Sequence, residues 1–238
     1  MNKSEISQIK DKCEGDLRFL CKYILGMADW YDPLHNDLER ILKLPNPQKL
    51  ILMPRGHLKS SVVTVGWVIQ QILKNPNIRI LLTNAVWQRT REFLGQIQGL
   101  LTDKSILSTI YGSFDGPGSK FTQDEITIAQ RTIGTVKEPT ITTAGVETAL
   151  TGGHYDIIMH DDLVEENNIG TKEQIQKIIR FYQNSLDLLD PGGKLIVIGT
   201  RWAMGDLYGH IIENEMGTIN GKPIEAENRI KWREYIKT

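Results

Sequence analysis

At 238 residues the chain falls between one large domain and two small ones, long enough to close a hydrophobic core without a disulfide or metal staple. With 40% hydrophobic and 24% charged residues, its composition is that of an ordinary soluble globular protein. A formal net charge of −1 leaves any nucleic-acid contact to a local basic patch.

No apolar run reaches the roughly 18 residues needed to span a membrane. The polar, mixed-charge N-terminus MNKSEISQIKDKCEGD is not a secretory signal. The two cysteines, Cys13 and Cys21, lie on one face of a helical stretch, which suits buried thiols in a reducing compartment.

In chain order, Ile6, Ile9, Cys13, Leu17, Leu20, Cys21 and Ile24 recur at helical period and predict a helix over 4–25. Asp32-Pro33 opens a second, with Leu34, Leu38, Ile41 and Leu42 on one face, Asp32 as its N-cap, and Pro45 and Pro47 ending it. Short apolar strands then alternate with helices: a strand at Leu50–Met53, a helix near 59–74, a strand at Ile78–Thr83, a helix near 85–101. Residues 105–150, rich in Gly and Thr, read as strands and loops, with Gly112–Gly118 the segment expected to move most. Strands at Tyr155–His160 and Lys194–Gly199 follow, with a helix at 172–189 between them. The tail from Gly217 holds an expected turn at Asn220-Gly221 and a charged amphipathic end. Apolar strands alternating with helices imply an α/β fold, a mostly parallel sheet covered on both faces.

Two segments carry chemistry. In LILMPRGHLKSSVVTVGW, Lys59-Ser60 stands where an apolar strand passes through a tight turn into a helix. The usual phosphate loop is G-x-x-x-x-G-K-[ST]; here Met53 and Leu58 occupy both glycine positions. The context keeps the reading, because a strand–turn–helix junction aims backbone N–H groups at phosphate. Lys59 would reach the β- and γ-phosphates of ATP and Ser60 would ligate Mg²⁺. The bland alternative is a basic turn with Ser60 capping the helix. The second segment, HYDIIMHDD, ends an apolar strand in Asp161-Asp162. One carboxylate of such a pair holds the metal and the next activates water, so Asp161 is assigned to Mg²⁺ and Asp162 to water. Glu165 and Glu166 are reserves for the second role. Alone, two acids at a strand end are equally a turn or a cap; their place about 100 residues after Lys59 in an α/β pattern favours the catalytic reading.

PRGHLKS at 54–60, HYDIIMHDD at 154–162 and LIVIGTRW at 195–202, in this order, resemble the N-terminal ATPase domain of the large terminase subunit of tailed bacteriophages. The resemblance implies a RecA-like (ASCE-type) P-loop NTPase fold, with ATP and Mg²⁺ bound and double-stranded DNA driven into a procapsid. It divides the chain into an N-terminal helical segment at 1–45, an ATPase core at 46–215 and a lid or linker at 216–238. Pro54, Arg55, Gly56, His57, Leu58, Lys59, Ser60 and Ser61 would form the variant P-loop, with Arg55 on a phosphate. Asp161 and Asp162 match the second motif, and Thr200 the coupling motif that links γ-phosphate state to DNA movement. WYDPLHNDLERIL resembles the family's adenine-pocket segment and nominates Tyr31 and His35, the histidine standing where a glutamine is common. The implied partners are the portal protein, the small terminase subunit and further copies in a homo-oligomeric ring, in the cytoplasm of the infected host and transiently at the portal.

The chain departs from the family pattern in two places. The RNase H-like nuclease domain that usually follows has no room before Thr238, so no nuclease activity is expected from this chain. The arginine that usually precedes the second motif is missing from Leu150–His154. Arg131 is then the first choice for a residue reaching a neighbour's site, ahead of Arg180 and Arg201, with Arg55 a contributor in cis. The five histidines show no metal-binding spacing. His160 reads as a core residue, Trp67, Trp87 and Trp202 as packing, and Lys172, Lys177 and Arg180 as a solvated helix face. A helicase-like or restriction-type translocase, and a nucleotide-binding scaffold without hydrolysis, remain the alternative functions.

Overall fold

The computed structural model describes residues 2–102, 104–150, 152–203, 205–216, 218–219, 222–223 and 232–236. The first expected helix is broken into pieces. α1 (Lys3–Gly15) opens on a capping box between Asn2 and Glu5. It ends because Asp16 is extended and restarts the helix, its carboxylate accepting the Phe19 N–H at 2.7 Å. α2 (Leu17–Phe19) then runs into a π-helical turn, Leu20–Ile24. α3 (Asp32–Lys43) begins at the residue expected to cap it, one residue earlier than expected. Tyr31 holds the N-cap position, and the Asp32 carboxylate instead takes a two-pronged ion pair from Arg18, at 2.8 and 3.0 Å. A side chain drawn into that fork cannot also cap its own helix.

β1 (Gln48–Leu52) leads through the phosphate-loop turn into a π-helical segment, Ser61–Trp67, continued by α4 (Val68–Lys74). There follow β2 (Ile80–Asn84), α5 (Trp87–Leu100), α6 (Ile106–Tyr111), β3 (Lys120–Phe121), β4 (Glu125–Thr127) and β5 (Ile141–Gly145). α6 lies inside the stretch read as strands and loops, capped by Ser105, whose hydroxyl accepts from the Ser108 N–H. Gly112–Gly118 is anchored at Phe114, 2% exposed, whose carbonyl takes the Ala129 N–H at 2.8 Å. β6 (Tyr155–Asp161), α7 (Lys172–Leu186), β7 (Leu189–Gly199), α8 (Leu207–Ile211), β8 (Thr218–Ile219), β9 (Lys222–Pro223) and β10 (Trp232–Ile236) complete the chain. The expected turn at Asn220-Gly221 lies outside the described residues; β8 and β9 on either side of it pair antiparallel. Within the segment expected as a lid or linker, β10 pairs parallel with β1. No helix among the described residues is long and apolar enough to cross a membrane.

The main sheet has eight strands in the order β10-β1-β7-β6-β2-β5-β4-β3, antiparallel only at the β5-β4 and β4-β3 pairs. Alternate residues of each central strand enter different cores, as a period of two requires. Ile51, Ile80, Leu82, Ile157, Met159, Ile196 and Ile198 meet α1, α3, α4 and α5 on one face. Leu50, Leu52, Leu81, Ile158, Leu195 and Val197 meet α7 and α8 on the other. Cys13 and Cys21 are both fully buried free thiols on the first face. Cys21 packs where Gly66 has no side chain, since a Cβ there would lie 2.4 Å from the sulfur.

One polar staple crosses the second core. His160, fully buried, accepts at Nδ1 from the Thr83 hydroxyl at 2.6 Å and donates from Nε2 to Ser185 at 2.9 Å. Ser185 in turn donates to the Tyr182 carbonyl at 2.6 Å, which sets that direction. Burial holds the imidazole neutral, its pKa pushed down to about 3. The unfolded chain therefore takes up a proton below about pH 6.5 that the folded protein refuses until about pH 3. Stability from this group is complete above pH 6.5 and falls as pH drops through that window, by about 1.4 kcal/mol per unit. Urea unfolding between pH 7 and 4 should show that slope, and His160→Gln should flatten it.

Candidate nucleotide-binding site

Every strand that ends in the site runs the same way, so their carboxyl ends share one edge of the sheet. β1 delivers Met53 and the turn 54–58, β6 delivers Asp161 and Asp162, β7 delivers Thr200, and β2 delivers Asn84 beside Asp161 in register. Lys59 and Ser60 are the first helical residues after the turn. Lys59, 6% exposed, donates to Asp162 Oδ2 at 2.9 Å and to the Thr200 hydroxyl at 3.4 Å. Thr200 itself donates to the Met53 carbonyl at 3.0 Å, joining β7 to the start of the turn.

Asp161 is fully buried, and each oxygen has one hydroxyl donor: Ser60 at 3.0 Å and Thr64 at 2.7 Å. Burial, and then the neighbouring Asp162 charge, raise its carboxyl to about pKa 7. The hydroxyls and Lys59 pull the other way. Asp162 follows with φ of 45°, a left-handed turn that aspartate tolerates. One of its oxygens, Oδ1, is buried with no hydrogen-bond partner, as is the hydroxyl of Tyr208 on α8. The Tyr208 ring reaches over the end of β7 because residue 199 is glycine; a Cβ there would lie 2.0 Å from its hydroxyl.

The turn itself shows what the missing glycines would have supplied. Gly56 has φ of 80° and Leu58 φ of 53°. Leu58 stands in the position of the second consensus glycine and adopts the left-handed backbone that position calls for, at about 1–2 kcal/mol for an L-residue. Its side chain is 37% exposed, so the isobutyl group contributes little core. His35, 2% exposed, holds the turn from behind. Its Nδ1 accepts the Tyr31 N–H at 2.9 Å, leaving Nε2 to donate to the His57 carbonyl at 3.0 Å. Tyr31, His35, Gly56, His57 and Leu58 border one open pocket of about 440 Å³, so the nominated adenine segment and the phosphate loop share a cavity. Arg55 lies over the Trp202 ring, 4.5 Å from its centroid. Asp206 orders that tryptophan by accepting the N–H groups of Trp202 and Ala203 while capping α8.

Lys59, Ser60, Asp161, Asp162 and Thr200 come together, with Arg55 and Ser61 in the same turn-to-helix connection. Glu165, 7% exposed, faces Arg89 at 2.7 Å; the approach is misaligned for a hydrogen bond and is an ion pair. Glu166 begins a single 3-10 turn and is exposed. Arg131 stands elsewhere. It donates to the carbonyls of Glu138 and Asn77 near Arg79 and Asp156, at the amino-terminal end of β2 and β6. That is the opposite edge of the sheet from Asp161, roughly 17 Å away at about 3.3 Å per strand residue. Arg180 is exposed on α7 beside Lys172 and Lys177, a solvated face as expected. Trp67 is buried but Trp87 is 38% exposed under the Arg91 guanidinium. Thr64 and Arg89 were not foreseen. Thr64 could have been, since it lies one helical turn after Ser60 on the same face; nothing local marks Arg89.

The residues fit a nucleotide with Mg²⁺. A buried carboxylate clasped by a helix-start hydroxyl and an orphaned Asp162 oxygen form an oxygen donor set for a hard cation that keeps several waters, with the Lys59 ammonium beside them as a counter-charge for phosphate. Fold and site together define an α/β domain, a mostly parallel sheet covered by helices on both faces, with a lysine, hydroxyls and two carboxylates gathered at the carboxyl ends of its strands. The chain is 24% identical over 186 residues to the large terminase subunit of Enterobacteria phage T3, an alignment covering 75% of this chain and 30% of that protein. Its fold matches the large terminase ATPase domain of Thermus Phage P74-26 with a TM-score of 0.50 and 12% identity, over 83% of this chain and 78% of that one. No protein-family model matches the chain.

The left-handed backbone at Leu58 makes a direct prediction. Leu58→Gly should leave the free energy of urea unfolding within about 1 kcal/mol of the parent, relief of the side-chain clash offsetting added chain entropy. Leu58→Ile should lower stability, because a β-branched residue fits φ of 53° worst.

Proposed function

We propose that this chain is a Mg²⁺-dependent ATPase that powers movement of double-stranded viral DNA into a procapsid. The reading rests on one observation above all: Lys59 bridges Asp162 and Thr200 while Ser60 and Thr64 clasp Asp161. Three strand ends converge where a nucleotide's terminal phosphates would meet a P-loop lysine. The similarity to two phage large terminases supplies the DNA-packaging context.

In this reading Lys59 is the moving charge. Without phosphate it neutralises Asp162; the β- and γ-phosphates compete for it and set the Asp162 carboxylate free to orient or deprotonate water. Thr200, hydrogen-bonded to both Lys59 and Met53, registers that exchange and carries it to the end of β7. Ser60 and Asp161 would hold Mg²⁺, which would supply charge neutralisation to the phosphates. Tyr31 and His35 border the base, and Arg55 lies near the phosphates. Portal protein, small terminase subunit and further copies in a ring are the proposed partners, in the host cytoplasm and at the procapsid portal.

Calorimetry with an ATP analogue tests the site. Lys59→Ala should abolish binding, with a thermal melt to show that the protein still folds, because removing one partner of a buried ion pair costs about 3–5 kcal/mol. Asp161→Asn should weaken Mg²⁺-dependent binding. Asp162→Asn should keep binding and lose most turnover, as a group needed chiefly in the transition state would. Normal hydrolysis by Asp162→Asn together with a dead Glu165→Gln or Glu166→Gln would reassign the water-activating role.

Assembly supplies a further prediction. An arginine from a neighbour is worth about 10³–10⁵ in rate in such sites. Arg131 lies at the far edge of its own sheet, so it reaches a nucleotide only across a subunit boundary. Specific ATPase activity should climb with protein concentration or with added portal and DNA. Arg131→Ala mixed with Lys59→Ala subunits should restore part of the activity that each variant lacks alone. Full activity at high dilution would mean that each subunit completes its own site.

A further inference from the structure

At the edge of the sheet opposite the phosphate loop lies a recessed pocket of about 320 Å³ that the ATPase reading leaves unused. Lysines from three elements meet there: Lys43 at the end of α3, Lys74 at the end of α4 and Lys194 on β7. A fourth, Lys49 on β1, stands behind the wall, 2% exposed, donating to the backbone carbonyls of Leu44 and Asn46. Burial and then the charge of Lys194 lower Lys49 to about pKa 8, and the same two influences, joined by Lys43, lower Lys74. Among the described residues Glu39 is the one acid lining the pocket, and it is already engaged with Lys43 at 2.6 Å and the Leu17 N–H at 2.9 Å. Lys194 reaches an amide, Gln71, at 3.5 Å, and the Trp67 ring at 5.9 Å. The carboxyl ends of α3 and α4 add about half a negative charge each. Four lysines outweigh these and the glutamate together.

Like charges gathered round a concavity repel, and folding tolerates them where an anion offsets the repulsion. We propose that this pocket is a second anion site, separate from the P-loop, which takes a small phosphorylated anion of pyrophosphate size. Its volume lies at the lower end of the roughly 300–1,000 Å³ of ligand pockets, and lysine is a point-charge binder of phosphate. The recessed shape favours a small anion over the convex track of a duplex. β1 and β7 join the pocket to the catalytic edge, since Lys49 and Lys194 lie on the strands that end beside Met53 and Thr200.

Titration of pyrophosphate into Lys59→Ala protein at low salt tests this with the phosphate loop disabled. One site should be seen, weakened at least tenfold by Lys194→Gln and again by Lys74→Gln, and kept by Lys74→Arg. If Lys59→Ala does not fold, the same titration into wild-type protein saturated with an ATP analogue isolates the second site. Pyrophosphate binding that duplex DNA does not displace supports a free small anion as the ligand; displacement would make the DNA backbone the source of the same phosphoryl group. No binding, or binding indifferent to both glutamine substitutions, would overturn the site.

Discussion

The ammonium of Lys59 stands within reach of side chains from two other strands, Asp162 after β6 and Thr200 after β7, while its neighbour Ser60 holds Asp161. Everything else at this edge depends on that convergence. Lys59 and Asp162 have side chains only 7% and 17% exposed, so neither charge could be kept there without the other. The pair therefore fixes the first turn of the following helix against the ends of β6 and β7. Displacing the lysine would therefore release the contacts of all three elements at once.

The sheet behind this edge is held on both of its faces. Its central strands are apolar on both faces, so each is gripped by helices above and below and cannot slip by one residue without exposing a full row of core side chains. His160 adds a directional element, tying β2 through β6 to α7 by hydrogen bonds in which every ring nitrogen has a partner. Close approaches of Cys21 to Gly66 and of Tyr208 to Gly199 lock the layers at two further points. The turn at 54–58, by contrast, carries strain at Leu58 and is held by His35, which also belongs to the pocket beside the turn. A ligand pressing on His35 or Tyr31 would thus act on the loop through a single hydrogen bond.

Much of this was legible in the residues. Strand alternation and apolar runs located β1, β2, β6 and the regular part of β7, and the Lys59-Ser60 junction and the Asp161-Asp162 terminus marked the two strand ends that meet. One element was misjudged because a distant partner overrode a local preference, the others because local signals outside apolar periodicity decided them. Asp32 was a sound cap by composition, yet Arg18 draws its carboxylate away. The helix expected over 4–25 breaks at Asp16, where a side-chain cap outweighs apolar periodicity. The 105–150 region hid α6 because its Ile-Leu-Ser-Thr-Ile-Tyr run satisfies either period.

By itself the sequence located the main strands and helices outside 105–150, a lysine at a strand–turn–helix junction and an acid pair at the end of a later strand. Periodicity, turn residues and strand termini are encoded within a few neighbouring positions. Only the tertiary structure decided that Lys59 pairs with Asp162 while Asp161 turns to Ser60 and Thr64. It also decided that Arg89 faces Glu165, that Arg131 sits at the opposite edge, and that three lysines line one recess with a fourth behind its wall. These partners lie tens to more than a hundred residues apart. Their meeting depends on which strands lie side by side and which way each crossover runs, and no local stretch of chain carries that information.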